Sequence, residues 1–157
     1  MLKTKACFYF GIFVFVMLFQ APPAFSETES EPARVTALVV TDTRLGDGTI
    51  AISDADGSDK VVVHYTGWIY DAKAPDHKGK KYYSTVDRNS PLTIKLGAVL
   101  PTKGLNQSIA GMKVGGKRTL TIPPELAYGS MGKGIIPPNS ALVVDVELLN
   151  VIVEDKP

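Results

Sequence analysis

The sequence predicts an α+β domain, four to six antiparallel strands with one short helix covering one face of the sheet. Two observations carry this. Residues that favour strands gather in short runs punctuated by glycine, proline, asparagine and aspartate, rather than in one long apolar block. Only one later stretch, Lys103 to Ala110, spaces its apolar residues as a helix does: Leu105 and Ile109 lie four apart, and Gly111 ends the run.

Taken in order, the first segment stands outside the fold. Lys3 and Lys5 precede an uncharged apolar run, Phe8 to Phe19, and "QAPPAFSE" follows with Ala24-Phe25-Ser26 as a small-x-small site. This three-part layout predicts a signal peptide over residues 1–26, cleaved after Ser26. The apolar run has 12 residues, short against the roughly 20 that a spanning helix needs; left uncleaved, it would serve as an anchor. "ETESEPA" (27–33) is acidic and polar, a flexible lead-in. A domain is expected over 34–157. Within it, "RVTALVVTD" from Arg34, "TIAI" (49–52), "VVVHYTGWIY" (61–70), the stretch around "KKYYS", "LTIKL" (92–96), "KRTLTI" and "ALVVDVELLNVIV" (141–153) are the candidates from which the four to six strands are drawn. "LGDG", "DADGSDK", "DRNSP" and Gly-Gly supply turns. Tyr82 and Tyr83 are adjacent, and strand alternation predicts one ring facing inward and the other outward.

Composition excludes several function classes. Removal of residues 1–26 takes away two lysines and no acid, so the formal charge falls from +1 to −1. Without basic blocks, such a chain is not expected to bind nucleic acid. The sole cysteine, Cys7, leaves with the signal segment, so no disulfide or thiol chemistry is expected. "DADGSD" invites a calcium reading, but Gly57 falls at the fourth position of the loop instead of the sixth, which leaves a plain acidic turn. His64 and His77 are the only histidines; no zinc site is expected, and His64 reads as a core or pocket-edge residue. No nucleophile elbow, P-loop or dinucleotide fingerprint is present. Neither metal nor cofactor is expected.

The segment "AYGSMGKGIIPPNSALVVDVELL" (127–149) is different. Its glycines allow tight turns and Pro137-Pro138 stiffen the loop, so Ile135 and Ile136 can form an apolar wall beside Tyr128. The plainer reading is a loop that packs its own apolar residues. This segment, with "VVVHYTG" and "GMKVGGKRTLTIPPELAYG", resembles the tacrolimus-binding immunophilins, the FKBP-type peptidyl-prolyl cis-trans isomerases. The resemblance runs from about Arg34 to Val151. It implies a five- or six-stranded antiparallel sheet wrapped around one short helix, with an apolar pocket between them. It also implies an isomerase acting on X–Pro bonds of unfolded or folding polypeptides; the signal segment predicts a periplasmic or secreted location, and the protein is expected to be a monomer.

Carried over by position, Tyr65 and Tyr82 match the family's pocket-wall aromatics, and Tyr128 matches its hydroxyl donor. Ile135 and Ile136 match the apolar loop, and Arg88 the arginine that normally pairs with an acid. The departures cluster on the substrate side. The tryptophan floor is Leu105, and wall phenylalanines are Leu92 and Val144. Pro101-Thr102 replaces the usual Val-Ile pair, with Thr102 at the backbone-donor position. The acid expected to pair with Arg88 is Tyr83. Exchanging Trp for Leu forfeits on the order of 70 Å² of apolar contact, roughly 2 kcal/mol. The resemblance therefore implies an isomerase of reduced activity, or a prolyl-peptide-binding chaperone or adaptor on the same fold.

Overall fold

The computed structural model describes residues 34–52, 60–97 and 102–153. The expected signal segment, the lead-in 27–33, nearly all of the acidic "DADGSDK" turn and Pro101 lie outside these residues. Six strands form in chain order, β1 (Val39–Arg44), β2 (Lys60–Tyr70), β3 (Lys78–Ser84), β4 (Leu92–Lys95), β5 (Lys117–Ile122) and β6 (Leu142–Ile152). The helix α1 (Lys103–Ile109) lies between β4 and β5. All pairings are antiparallel, in the order β1-β5-β6-β2-β3, with β4 also on β2. The predicted class holds, and α1 is the one α-helix among the described residues. Among the described residues no helix is long and apolar enough to cross a membrane.

Strand β2 organises the molecule, because its eleven residues alternate strictly along the first eight. Val61, Val63, Tyr65 and Gly67 are buried, while Val62, His64, Thr66 and Trp68 are half-buried on the other face. Leu142, Val144, Val146 and Leu148 of β6 face the same interior, with Gly67 directly opposite Val144. Leu120 and Ile122 of β5 continue that surface. Helix α1 closes over it with Leu105 and Ile109 fully buried. The approach needs Gly104, since a Cβ there would meet Ile122 Cγ2 at 2.5 Å.

Two sequence expectations are corrected at the periphery. The first strand begins at Val39 and not Arg34, because its pairing with β5 starts at Val39 opposite Thr121. "TIAI" makes no strand: Ile50 forms only an isolated bridge to Lys113. Ala51 is held by the turn after α1, its N–H donating to Met112 O at 2.7 Å and its carbonyl accepting from Gly111 N–H at 2.8 Å.

The far edge of β2 is shared. β4 pairs with residues 60–63, and β3 with residues 66–70. Thr85, fully buried, fills the gap between them. Tyr65 N–H donates to Thr85 Oγ1 at 2.8 Å, and Thr85 N–H donates to Tyr65 O at 3.0 Å. The fork thus fixes Tyr65 where the two edge strands part.

Candidate functional site

From that fork the Tyr65 ring enters a cavity of about 640 Å³ at the open edge of the core. Strand β3 supplies the next two rings. Simple alternation would send Tyr82 and Tyr83 to opposite faces, but both line this cavity. The reason is a bulge: Gly67 pairs with Tyr83 and Trp68 with Lys81, which leaves Tyr82 as the extra residue. A bulge re-aims side chains that a regular strand would alternate. The Tyr82 ring lies directly on Gly67, so closely that a Cβ at Gly67 would sit 2.4 Å from its Cζ and Oη. Tyr83 stacks on Tyr65, with ring centroids 4.9 Å apart and planes 20° from parallel. The Arg88 guanidinium lies 4.6 Å from the Tyr83 centroid, so a cation–π contact stands where the family pattern has an ion pair.

Tyr128 comes from the turn between two short 3-10 segments, Pro124–Leu126 and Gly129–Met131. The following loop is locked by reciprocal backbone bonds: Lys133 N–H donates to Ile136 O at 3.0 Å, and Ile136 N–H to Lys133 O at 2.9 Å. Gly132 takes φ of 63°, and a Cβ there would meet Ile136 O at 2.5 Å, so only glycine fits. The loop presents Ile136 buried and Ile135 half exposed, both on the cavity wall with Leu92 from β4. Leu105 and Val144 do not reach that wall. Both are 1% exposed and pack in the core that also holds Tyr65 and Ile136. Thr102 is likewise buried and caps α1, its Oγ1 accepting from Leu105 N–H at 3.3 Å.

Residues 53–149 match the model of one family, FKBP-type peptidyl-prolyl cis-trans isomerase. The chain belongs to this family. Among its relatives, an FK506-binding protein of Neisseria meningitidis is 42% identical over 116 residues, 73% of this chain and 96% of the relative. The peptidyl-prolyl cis-trans isomerase FPR2 of Saccharomyces cerevisiae is 38% identical over 143 residues, 90% of this chain and 96% of its own. The crystal structure of FkpA from Escherichia coli superposes with a TM-score of 0.61 at 40% identity, over 74% of this chain and 48% of that one. The six-stranded sheet and single helix are therefore the FKBP fold, and the chain is an FKBP-type isomerase.

In this FKBP pocket the electrostatics favour neutral hydroxyls. Burial, with smaller contributions from neighbouring tyrosines, pushes the Tyr65 and Tyr82 hydroxyls far above the usual tyrosine range. Arg88 opposes that trend at Tyr65 but does not overcome it. Burial raises Tyr128 as well. All three are protonated at neutral pH and can donate. The histidines are engaged elsewhere. His64 Nδ1 lies 3.0 Å from Thr85 Oγ1, and His77 stacks on Tyr70 at 5.0 Å.

Sequence reasoning missed several contributors to the site, Thr93 and Ile94 of β4 among them. Thr85 gave no local signal, because its role depends on two strands diverging. Gly67 did give one, since a glycine inside a strand marks a close approach by another group. Lys95 and Lys133 line the cavity mouth, and nothing in their local sequence distinguishes them from ordinary surface lysines.

Proposed function

We propose that this protein accelerates rotation about X–Pro bonds in unfolded or folding polypeptides after export, with lower activity than relatives whose pocket floor is tryptophan. The observation that carries the reading is a cavity walled by four tyrosine rings and four aliphatic side chains, Leu92, Ile94, Ile135 and Ile136, with no carboxylate among the described lining residues. Rotation about an X–Pro bond must cross a barrier of roughly 18–20 kcal/mol, and uncatalysed exchange takes tens to hundreds of seconds. In the twisted state the amide loses resonance and its carbonyl carries less charge. A dry apolar wall therefore disfavours the planar ground state relative to the twisted one. Tyr65 and Tyr82 act as the wall on the proline ring, and Tyr128 donates to a substrate carbonyl. Thr102, which the family pattern puts at the second donor position, is 5% exposed, caps α1 and is not among the described lining residues.

Reduced strength is supported by the aliphatic residues beneath the wall, Leu105 and Val144, which offer less contact than aromatic rings. The same observation favours the second reading, a chaperone or adaptor that holds prolyl segments with little catalysis. Export is supported by the three-part layout of residues 1–26, with the isomerase domain over 34–157. The test is the isomerisation rate of a short Leu-Pro peptide with the purified protein and with Leu105→Trp. The proposal expects measurable acceleration by the natural protein and a several-fold increase in the variant. Absence of acceleration at high protein concentration, with retained binding of unfolded chains, would favour the chaperone.

A further inference from the structure

The mouth of the pocket carries charge of one sign. Lys95, at the end of β4, and Lys133, in the loop after Tyr128, are both exposed and both line the cavity. Among the described residues no aspartate or glutamate lines it. Lys133 Nζ sits 5.3 Å from the Tyr128 centroid, so its ammonium is held beside one of the pocket walls. Arg88 adds a third cation over Tyr83. The carboxylate next to it in sequence, Asp87, is bound to Lys81. Neither lysine at the mouth, nor Arg88, forms an ion pair among the described residues.

The opposite face of the sheet is built differently. There Glu147 is bonded to both Arg44 and Lys117 at 3.0 Å, and Asp145 to Lys78 at 2.7 Å. Glu147 and Asp145 on that face each hold a cation, whereas among the described residues no carboxylate pairs with Lys95 or Lys133. A polypeptide that seats a proline between the tyrosines must run its neighbouring residues past Lys95 and Lys133. Two ammonium groups with no carboxylate partner among the described residues, at the rim of a low-dielectric wall, attract a carboxylate there and repel a lysine.

We infer that this pocket selects prolines next to an aspartate or glutamate, and that Lys95 and Lys133 determine this preference. The inference rests on the isomerase reading for its substrate but not for its test. An exposed ion pair changes affinity by roughly 1.5- to 5-fold. Two lysines acting together should separate glutamate from lysine beside the proline by about tenfold. The separation should shrink between 20 mM and 300 mM salt, because screening shortens from roughly 20 Å to 6 Å.

The experiment uses the whole purified protein and peptides that differ only in the residue before or after proline: Glu, Gln or Lys. Both isomerisation rate and affinity, the latter by chemical-shift titration, are measured for each peptide. The expected order is Glu, then Gln, then Lys, at one or both positions, reversed by Lys95→Glu with Lys133→Glu. Equal values for the three residues at both positions overturn the inference, as does an order that the double variant leaves unchanged. If no peptide is accelerated, the isomerase reading fails, while the order of affinities still decides the selectivity.

Discussion

Replacing Gly67 by alanine should displace the Tyr82 ring, and the size of the effect follows from the geometry. The new Cβ would lie 2.4 Å from Tyr82 Cζ and Oη and 2.7 Å from Cε1, whereas ordinary contacts begin at 3.4 Å. The ring must retreat by at least about 1 Å. Overpacking of this kind costs about 1–3 kcal/mol. Alanine recovers about 0.5–1 kcal/mol, because glycine is the poorer residue inside a strand. The net loss is therefore about 0.5–2 kcal/mol, a drop in Tm of roughly 2–8 °C for a domain of this size. If Tyr82 forms the proline wall, kcat/KM should fall by about tenfold or more, since a misplacement near 1 Å is enough for such losses. Thermal unfolding and the Leu-Pro assay read the two effects. The same substitution in a Tyr82→Leu background removes the clash, so Gly67→Ala should there be neutral or slightly stabilising. Equal destabilisation in both backgrounds, or full activity in the single variant, would refute the packing of Tyr82 on Gly67 as the basis of the pocket wall.

Thr85→Val removes the acceptor of Tyr65 N–H and the contact to His64; urea unfolding should show a loss of about 1–3 kcal/mol at unchanged slope, largely restored in Thr85→Ser. Tyr83→Asp exchanges the stack on Tyr65 and the Arg88 contact for a solvent-exposed ion pair. Its net destabilisation should be about 1 kcal/mol by denaturant titration, against nearly none for Tyr83→Phe. Alkaline titration gives a signed test, because the folded-state values of Tyr65, Tyr82 and Tyr128 are raised. The stability tied to these tyrosines is fully present below the unfolded value of about 10 and is lost as pH rises beyond it. Absorbance near 295 nm should show these three ionising after ordinary tyrosines, and a single titration of all tyrosines near pH 10 would contradict their burial.

The sheet was legible where one strand carries its own evidence. "VVVHYTGWIY" is long, β-branched and bounded by turns, and it forms the central strand β2. Helix α1 was legible from Leu105, Ile109 and Gly111 because a short amphipathic turn needs only local spacing. What escaped depended on partners. "TIAI" has strand composition but finds only one bridging residue, and the segment before Val39 has no paired residue on β5. The tyrosine pair shows the same limit within the site. Alternation is a property of a regular strand, while the bulge that turns both rings inward is set by the register of β3 on β2. Leu105 was readable as a substitution in a helix, but its depth below the wall required the packing of Ile136 and Val144 around the same core.

Exchange spectroscopy on a Leu-Pro peptide, with the protein at a small fraction of the peptide concentration, reads the isomerase activity itself. Cis–trans exchange should run well above the uncatalysed rate of order 0.01 per second, and the gain should be lost when Tyr65 and Tyr128 are replaced together by leucine and phenylalanine. An exchange rate equal to that of free peptide, even at equimolar protein, would contradict that activity.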